Sequence, residues 1–390
     1  MSGKKLDLAQ FKLETRLAMA GRDPKRFEGG VNPAIHRATT LLIDDADDLY
    51  NTPKQTYALD GMAVQSALKD ALVAIEGGAG ATLTPSGLSA CALALLTVAK
   101  AGGELIASDA IYAPTRRFCE TALKRLGVTT HYIDPRIGVG IADHITEATC
   151  GIFLESPGSL TFEIADVPAI AAAARARRVP VILDNTWSAG VYFKPFQHGV
   201  DLSVQALTKY QAGHADVFMG AVLAATPEWA ARVKNTAKQL GLSASPDDAY
   251  LVLRGLRTLS VRLERQSASA LQIARWLESH PAIAGAIHPA LATHSDHALW
   301  ARDFSGASGV FAAVLKPAEG PRVKAMLESL QLFAMGFSWG GYESLIVPTD
   351  KNLRRSATPP PSEGALLRLS IGLEHPDDLI ADLAQAFARL

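Results

Sequence analysis

The sequence is poor in several things that would otherwise narrow its role. It has only three cysteines in 390 residues, Cys91, Cys119 and Cys150, set far apart in apolar surroundings. Their number is odd and no Cys-x-x-Cys pair occurs, so neither a disulfide framework nor a zinc site is suggested. A reducing cytosol is the expected compartment. Charge of one sign is also missing. The formal net charge is −1, and no clustered Lys/Arg run offers a footprint for nucleic acid or an anionic membrane. The longest apolar stretch, residues 88–99, falls far short of the roughly 20 residues a spanning helix needs. The first residues are charged throughout and contain no apolar core of a secretory signal. No repeat or low-complexity tract stands out. These absences predict a soluble cytoplasmic protein without metal, nucleic-acid or membrane partners.

What is present is a long, apolar chain, 48% hydrophobic, with a change of pattern along it. Residues 1–60 form no globular unit: one helix candidate (Leu6 to Met19) is followed by extended, proline-punctuated chain, which reads as an arm that packs on something else. Residues 61–250 alternate helical stretches (Val64–Ile75, Ser86–Val98, Ala169–Arg177) with short apolar runs (Glu104–Ala107, Gly151–Glu155, Pro180–Leu183, Leu202–Gln205). Such alternation predicts βα units around a mainly parallel sheet, with ligands beyond the carboxyl ends of its strands. A long amphipathic helix from Ser245–Pro246 toward Arg275, broken at Gly255, leads into residues 251–390, which read as a smaller α/β domain. It ends in a helix from Pro376 with Leu379, Ile380, Leu383 and Phe387 on one face. The proline patch 357–364 reads as a surface loop before a strand.

Five places could carry chemistry. Lys209 follows an apolar strand containing Val204 and Leu207. Desolvation there would lower its pKa and make the amine nucleophilic, although a strand-end lysine can also simply reach for solvent. Asp184 closes another apolar run, where a carboxylate could pair with a cationic ring or merely cap the next turn. Ser86-Gly87 opens a helix after a short apolar run, a place where backbone N–H groups can meet a phosphate; a serine there is by itself more often an ordinary N-cap. The nearby glycines at 76–81 do not match a dinucleotide fingerprint. Tyr112, just past a strand, could stack on a ring or be a loop tyrosine. Arg368 interrupts an apolar run and needs a partner: a substrate carboxylate, or Glu374 or Glu343 in an ion pair.

The runs ESPGS (155–159), LDNTW (183–187) and ALTKYQAGHAD (206–216) resemble the Cys/Met-metabolism family of pyridoxal 5′-phosphate (PLP) enzymes. The resemblance extends from residue 31 to residue 383. It implies the aspartate-aminotransferase-like fold, fold type I: a mainly parallel seven-stranded sheet in a large PLP-binding domain plus a smaller C-terminal α/β domain. ESPGS, Tyr112-Ala113-Pro114-Thr115, RDFSGASGVF (302–311) and FSWGGYESL (337–345) are similar to the carbon–sulfur β-lyases of that family rather than to its γ-acting members. The implied reaction is β-elimination, which takes L-cystathionine to homocysteine, pyruvate and ammonia. γ-Elimination or γ-replacement on the same scaffold, cysteine or cystine C–S lysis, and an inactive PLP-binding regulator are the alternatives.

Position by position, the resemblance implies that Lys209 is the Schiff-base lysine and proton shuttle and that Asp184 is the partner of the pyridinium. Tyr112 would stack on the ring and share in proton transfer. Ser86, Gly87, Leu88 and Thr208 would surround the phosphate. Arg368, with Ser338 and Trp339 beside it, would hold the substrate carboxylate. Tyr57 would reach a neighbouring subunit's site in a homotetramer built from two dimers. Two positions depart from the family pattern. Leu59 stands where an arginine usually holds the phosphate, and Ala206 stands where serine is frequent. Weaker cofactor retention is the expectation from Leu59, since an apolar side chain cannot neutralise a phosphate.

Overall fold

In the computed structural model, residues 7–51, 55–359 and 364–390 are described. Seven strands form the larger sheet: β1 (Gly80–Thr84), β2 (Glu104–Ser108), β3 (Thr129–Ile133), β4 (Thr149–Glu155), β5 (Val181–Asp184), β6 (Leu202–Gln205) and β7 (Gly220–Ala224). Their order is β1-β7-β6-β5-β4-β2-β3. The run from β6 to β3 is parallel, and β7 lies antiparallel between β1 and β6. This is the mainly parallel, seven-stranded sheet expected. Strands β5 and β6 are buried along their whole length, so their sequences run apolar rather than alternate, as a sheet covered on both faces requires. β3 is an edge strand with two of its five residues exposed and only Ile133 buried; its polar sequence, Thr129 to Tyr132, hides it from an apolar-run search.

The second sheet holds β8 (Ile283–Ile287), β9 (Val310–Leu315), β10 (Leu345–Pro348) and β11 (Leu366–Ser370), in the antiparallel order β10-β11-β9-β8. The terminal helix Pro376–Phe387 packs on the Leu259–Ser279 helix. Leu379 and Leu383 are fully buried, while Ile380 sits at the half-buried edge of that face. The long helix breaks at Arg257–Thr258, two residues after the expected place. Gly255 stays inside the first helix because its bare Cα lies against the carbonyls of Gln211 and Ala212, where a Cβ would not fit. Arg262, from the second helix, donates to Gly255 O (2.8 Å) and Tyr210 O (2.7 Å), holding the two helices and the chain after Lys209 together.

In the arm, the expected helix is a single turn at Leu8–Gln10 followed by a helix at Leu13–Met19; Leu6 lies outside the described residues. Of the proline patch, residues 360–363 lie outside them too. Its described start is pinned by Asp109, whose carboxylate accepts from the backbone N–H groups of Ser356, Ala357 and Thr358. Among the described residues no helix is long and apolar enough to cross a membrane, and no cluster of metal-ligating side chains forms.

Candidate active site

The parallel strands β4, β5 and β6 end side by side, and each delivers a polar group beyond its carboxyl end. The chain leaves β6 at Gln205 and turns tightly, with Lys209 N donating to Ala206 O (3.0 Å) and Gly213 N to Lys209 O (2.8 Å). The turn carries the Lys209 amine off the sheet, where Nζ donates to Ser338 Oγ (3.0 Å) and lies 5.1 Å from the centre of the Trp339 ring. Burial first, and then the positive charge of Arg368, lower its pKa to about 8 against the opposing charge of Asp184.

Asp184 ends β5. Its Oδ1 accepts from Thr186 N (3.1 Å) and Thr186 Oγ1 (2.6 Å), whereas among the described residues Oδ2 has only the Cys91 thiol at 3.6 Å. Burial pushes this carboxyl's pKa up, against the two Thr186 hydrogen bonds. Thr186 Oγ1 also accepts from Ala206 N (2.9 Å), which ties the exit of β5 to that of β6. Glu155 ends β4 in register with Asp184. It accepts the backbone N–H of Tyr112 (2.6 Å) and so fixes the turn that displays the Tyr112 ring. Burial, and then the neighbouring Asp184 charge, hold the Glu155 carboxyl well above the usual carboxylate range.

The Gly87–Val98 helix begins beside this group. Ser86 caps it, its Oγ accepting from Ser89 N (3.1 Å), and Ser86 O accepts from Ala90 N. The N–H groups of Gly87 and Leu88 have no partner among the described residues. Two unpaired N–H groups at a helix start are a ready anion site. Gly87 packs on Ala206: a Cβ on residue 87 would lie 2.5 Å from that of Ala206. A small side chain at 206 is therefore what lets the helix start approach the lysine turn. The Thr208 hydroxyl is already engaged, donating to Met219 O (3.2 Å) and accepting from Met219 N (3.0 Å).

From the second sheet, Arg368 on β11 donates to Gly336 O (2.9 Å), Phe337 O (2.8 Å) and Ser338 O (3.0 Å), and its Nε has no partner. No acidic side chain pairs with it among the described residues. The ion pair with Glu374 or Glu343 does not form, because Glu374 accepts from Ser344 N (2.8 Å) and Ser344 Oγ (2.7 Å) instead. Burial lowers the Arg368 pKa to about 10, opposed by Tyr112. A buried guanidinium balanced only by carbonyl dipoles is prepared for an anion.

Lys209, Asp184, Tyr112, Arg368, Ser338 and Trp339 thus come together, with Ser86, Gly87, Leu88 and Thr208 next to them. Tyr57 does not join them. It is exposed on the arm, paired by one bridge to Thr40. Leu59 lines a separate cavity with Lys69 and Lys234, both of which are bound to Asp60. Glu155, Thr186 and Cys91 belong to the site without having been singled out. Glu155 was visible only as the first letter of a motif, and its register partner lies on another strand. The donor set fits PLP. It offers free N–H groups for a phosphate, a carboxylate oxygen with room for a protonated ring nitrogen, and an amine of lowered pKa for an aldehyde.

The comparisons agree with this chemistry. The sequence profile of the Cys/Met metabolism PLP-dependent enzymes matches residues 14–388. A putative cystathionine beta-lyase of Rhizobium johnstonii is 44% identical over 96% of both chains. The cystathionine beta-lyase of Escherichia coli is 41% identical over 98% of this chain and 100% of its own. The crystal structure of cystathionine gamma synthase from Xanthomonas oryzae pv. oryzae superposes with a TM-score of 0.90 at 32% identity, over 97% of this chain and 98% of that one. The chain belongs to the Cys/Met metabolism PLP-dependent enzymes.

Proposed function

We propose that the protein is a carbon–sulfur β-lyase that cleaves L-cystathionine to homocysteine, pyruvate and ammonia. The observation that carries this reading is the pairing of Lys209, an amine with pKa lowered to about 8, with Arg368, a buried guanidinium without an acidic partner. One is suited to a Cα proton and the other to the carboxylate of the same amino acid.

Lys209 would hold the aldehyde carbon of PLP, Asp184 Oδ2 its ring nitrogen, and the Gly87 and Leu88 N–H groups its phosphate. Bound PLP supplies an electron-poor ring that accepts charge from the substrate Cα. Arg368 binds the α-carboxylate and, with Ser338 and Trp339, orients the Cα–H bond toward Lys209. The neutral Nζ takes that proton. The Cβ–S bond then breaks with its electron pair on sulfur. The Tyr112 phenol, its pKa raised by burial, stays protonated at neutral pH and gives the departing sulfur its proton, aided by Lys209. Water completes the conversion of the remaining three carbons to pyruvate and ammonia.

A homotetramer assembled from dimers fits the arm. Leu42 is 93% exposed and Tyr50 91% exposed, and a second copy would cover them and receive Tyr57. The test of the activity is incubation with PLP and L-cystathionine, followed by identification of the ketoacid. Pyruvate with homocysteine supports the reading. 2-Oxobutyrate would replace it with γ-elimination, and no ketoacid from a PLP-loaded protein would overturn it.

A further inference from the structure

We infer that Glu155 is the positioning residue for Tyr112 and that it performs this role as a neutral, protonated carboxyl. The inference rests on the reading of Tyr112 as the proton donor of the site. Its first support is register. Glu155 and Asp184 are the last residues of adjacent parallel strands and face each other across the sheet. Neighbouring strands are about 4.8 Å apart, so two carboxyls here cannot both ionise without strong mutual repulsion.

The distribution of donors decides which one keeps the proton. Asp184 receives two hydrogen bonds from Thr186, a thiol contact from Cys91, and the field of the Lys209 ammonium. Glu155 receives the Tyr112 N–H and the Ser159 hydroxyl. Among the described residues the cation facing Glu155 is Arg355, whose Nη2 donates to Glu163 (2.8 Å) and to Thr161 while Nε and Nη1 have no partner, so it reaches Glu155 through its field and not through a hydrogen bond. Of the other groups around Glu155, the Asp184 charge disfavours a second negative charge beside it, while the Cys91 thiol and the Tyr112 phenol are held neutral by burial. The charge therefore settles on Asp184 and the proton on Glu155.

This has a use. An ionised Glu155 would make Tyr112 a weaker acid, because its charge raises the phenol pKa. Neutral, it still accepts the Tyr112 N–H and leaves Asp184 as the single anion of the pair, free to hold the ring nitrogen. Lys209 and Arg368 are then balanced by one carboxylate and the substrate.

The experiment compares wild type with E155Q and E155A as PLP-loaded protein, and reads infrared absorption as well as kinetics. The carbonyl stretch of a protonated carboxylic acid is expected in the wild type at neutral pH, fading as pH rises, and absent in E155Q. That band is read without turnover, so its presence in a protein inert toward cystathionine would leave the protonation of Glu155 standing while the lyase reading fell. E155Q supplies a neutral acceptor for the same N–H; it is expected to keep kcat within about threefold at neutral pH and to lose the alkaline limb of the kcat/KM profile that belongs to Glu155. E155A is expected to lower kcat about 100-fold, the scale of a misplaced reacting group, with KM little changed. A wild type and E155Q with identical infrared and pH profiles would overturn the neutral carboxyl. So would an E155Q as impaired as E155A. An E155A equal to wild type would overturn the positioning role. Should E155A fail to fold, E155Q and the infrared band still decide the protonation state, and Glu155→Leu, of similar volume but without an acceptor for the Tyr112 N–H, decides the positioning: a kcat equal to wild type would overturn it.

Discussion

At the scale of single residues, the site works by withdrawing charged groups from water by unequal amounts. Lys209 is the clearest case. Its amine is lowered to about 8 from 10.5, so reductive alkylation of the cofactor-free protein by a small aldehyde should label it with a midpoint near that value, while surface lysines follow the ordinary one. A labelling midpoint near 10.5 would mean that the amine is solvated. The sign also fixes a stability effect. Between the two values the unfolded chain binds the proton that the folded chain has released, so the cofactor-free protein should gain stability as pH rises through that window. Lys209→Met should lose that gain and abolish ketoacid production. Leu59→Arg should tighten PLP binding, measured by equilibrium dialysis, if residue 59 reaches a phosphate; unchanged affinity would show that the helix-start N–H groups suffice. Lys209 and Asp184 were legible in the sequence because each breaks an apolar run where the run ends. Arg368 was legible as a residue in need of a partner, but which partner depended on Glu374 being taken by Ser344, a contact no local pattern encodes. Glu155 and Cys91 escaped for the same reason: what matters about each is its distance from Asp184.

At the scale of elements, the Leu259–Ser279 helix is joined to the lysine turn through Arg262. Its guanidinium donates to the carbonyls of Tyr210 and Gly255, and Arg262→Ala would take the donor from Tyr210 O and leave Gly255 O with Thr258 alone. Losing such buried bonds costs about 1–3 kcal/mol each, so a drop of about 2–5 kcal/mol in urea unfolding is expected, together with reduced activity. The terminal helix gives a second test. Leu383 is fully buried between that helix and the second sheet, and Leu383→Ala should cost about 2–5 kcal/mol while leaving the absorbance of bound PLP unchanged. Helix faces and buried strands were readable because 3.6-residue periodicity and apolar runs are local signals. The edge strand β3 was not, since only Ile133 of it is buried. The helix break was read two residues early, since Gly255 marks close approach to residues 211–212 rather than a bend.

At the scale of the whole molecule, the exposed apolar residues of the arm predict assembly. Leu42→Asp should shift the protein toward smaller species in light scattering, and should lower activity in parallel if Tyr57 completes a neighbour's site. Unchanged mass would argue that the arm is solvated as it stands. The strand order carries a further consequence, for the birth of the chain. β7 is both the last strand of its sheet in sequence and the one that separates β1 from β6. As the polypeptide emerges from the ribosome, β1 has no partner until residues 220–224 have been made, and the lysine turn, whose Thr208 is clasped by Met219, stays open until the same moment. A nascent chain stopped short of β7 therefore presents a bare strand edge and an unformed lysine turn together. Completion of the sheet and competence to receive the cofactor arrive in one step of synthesis.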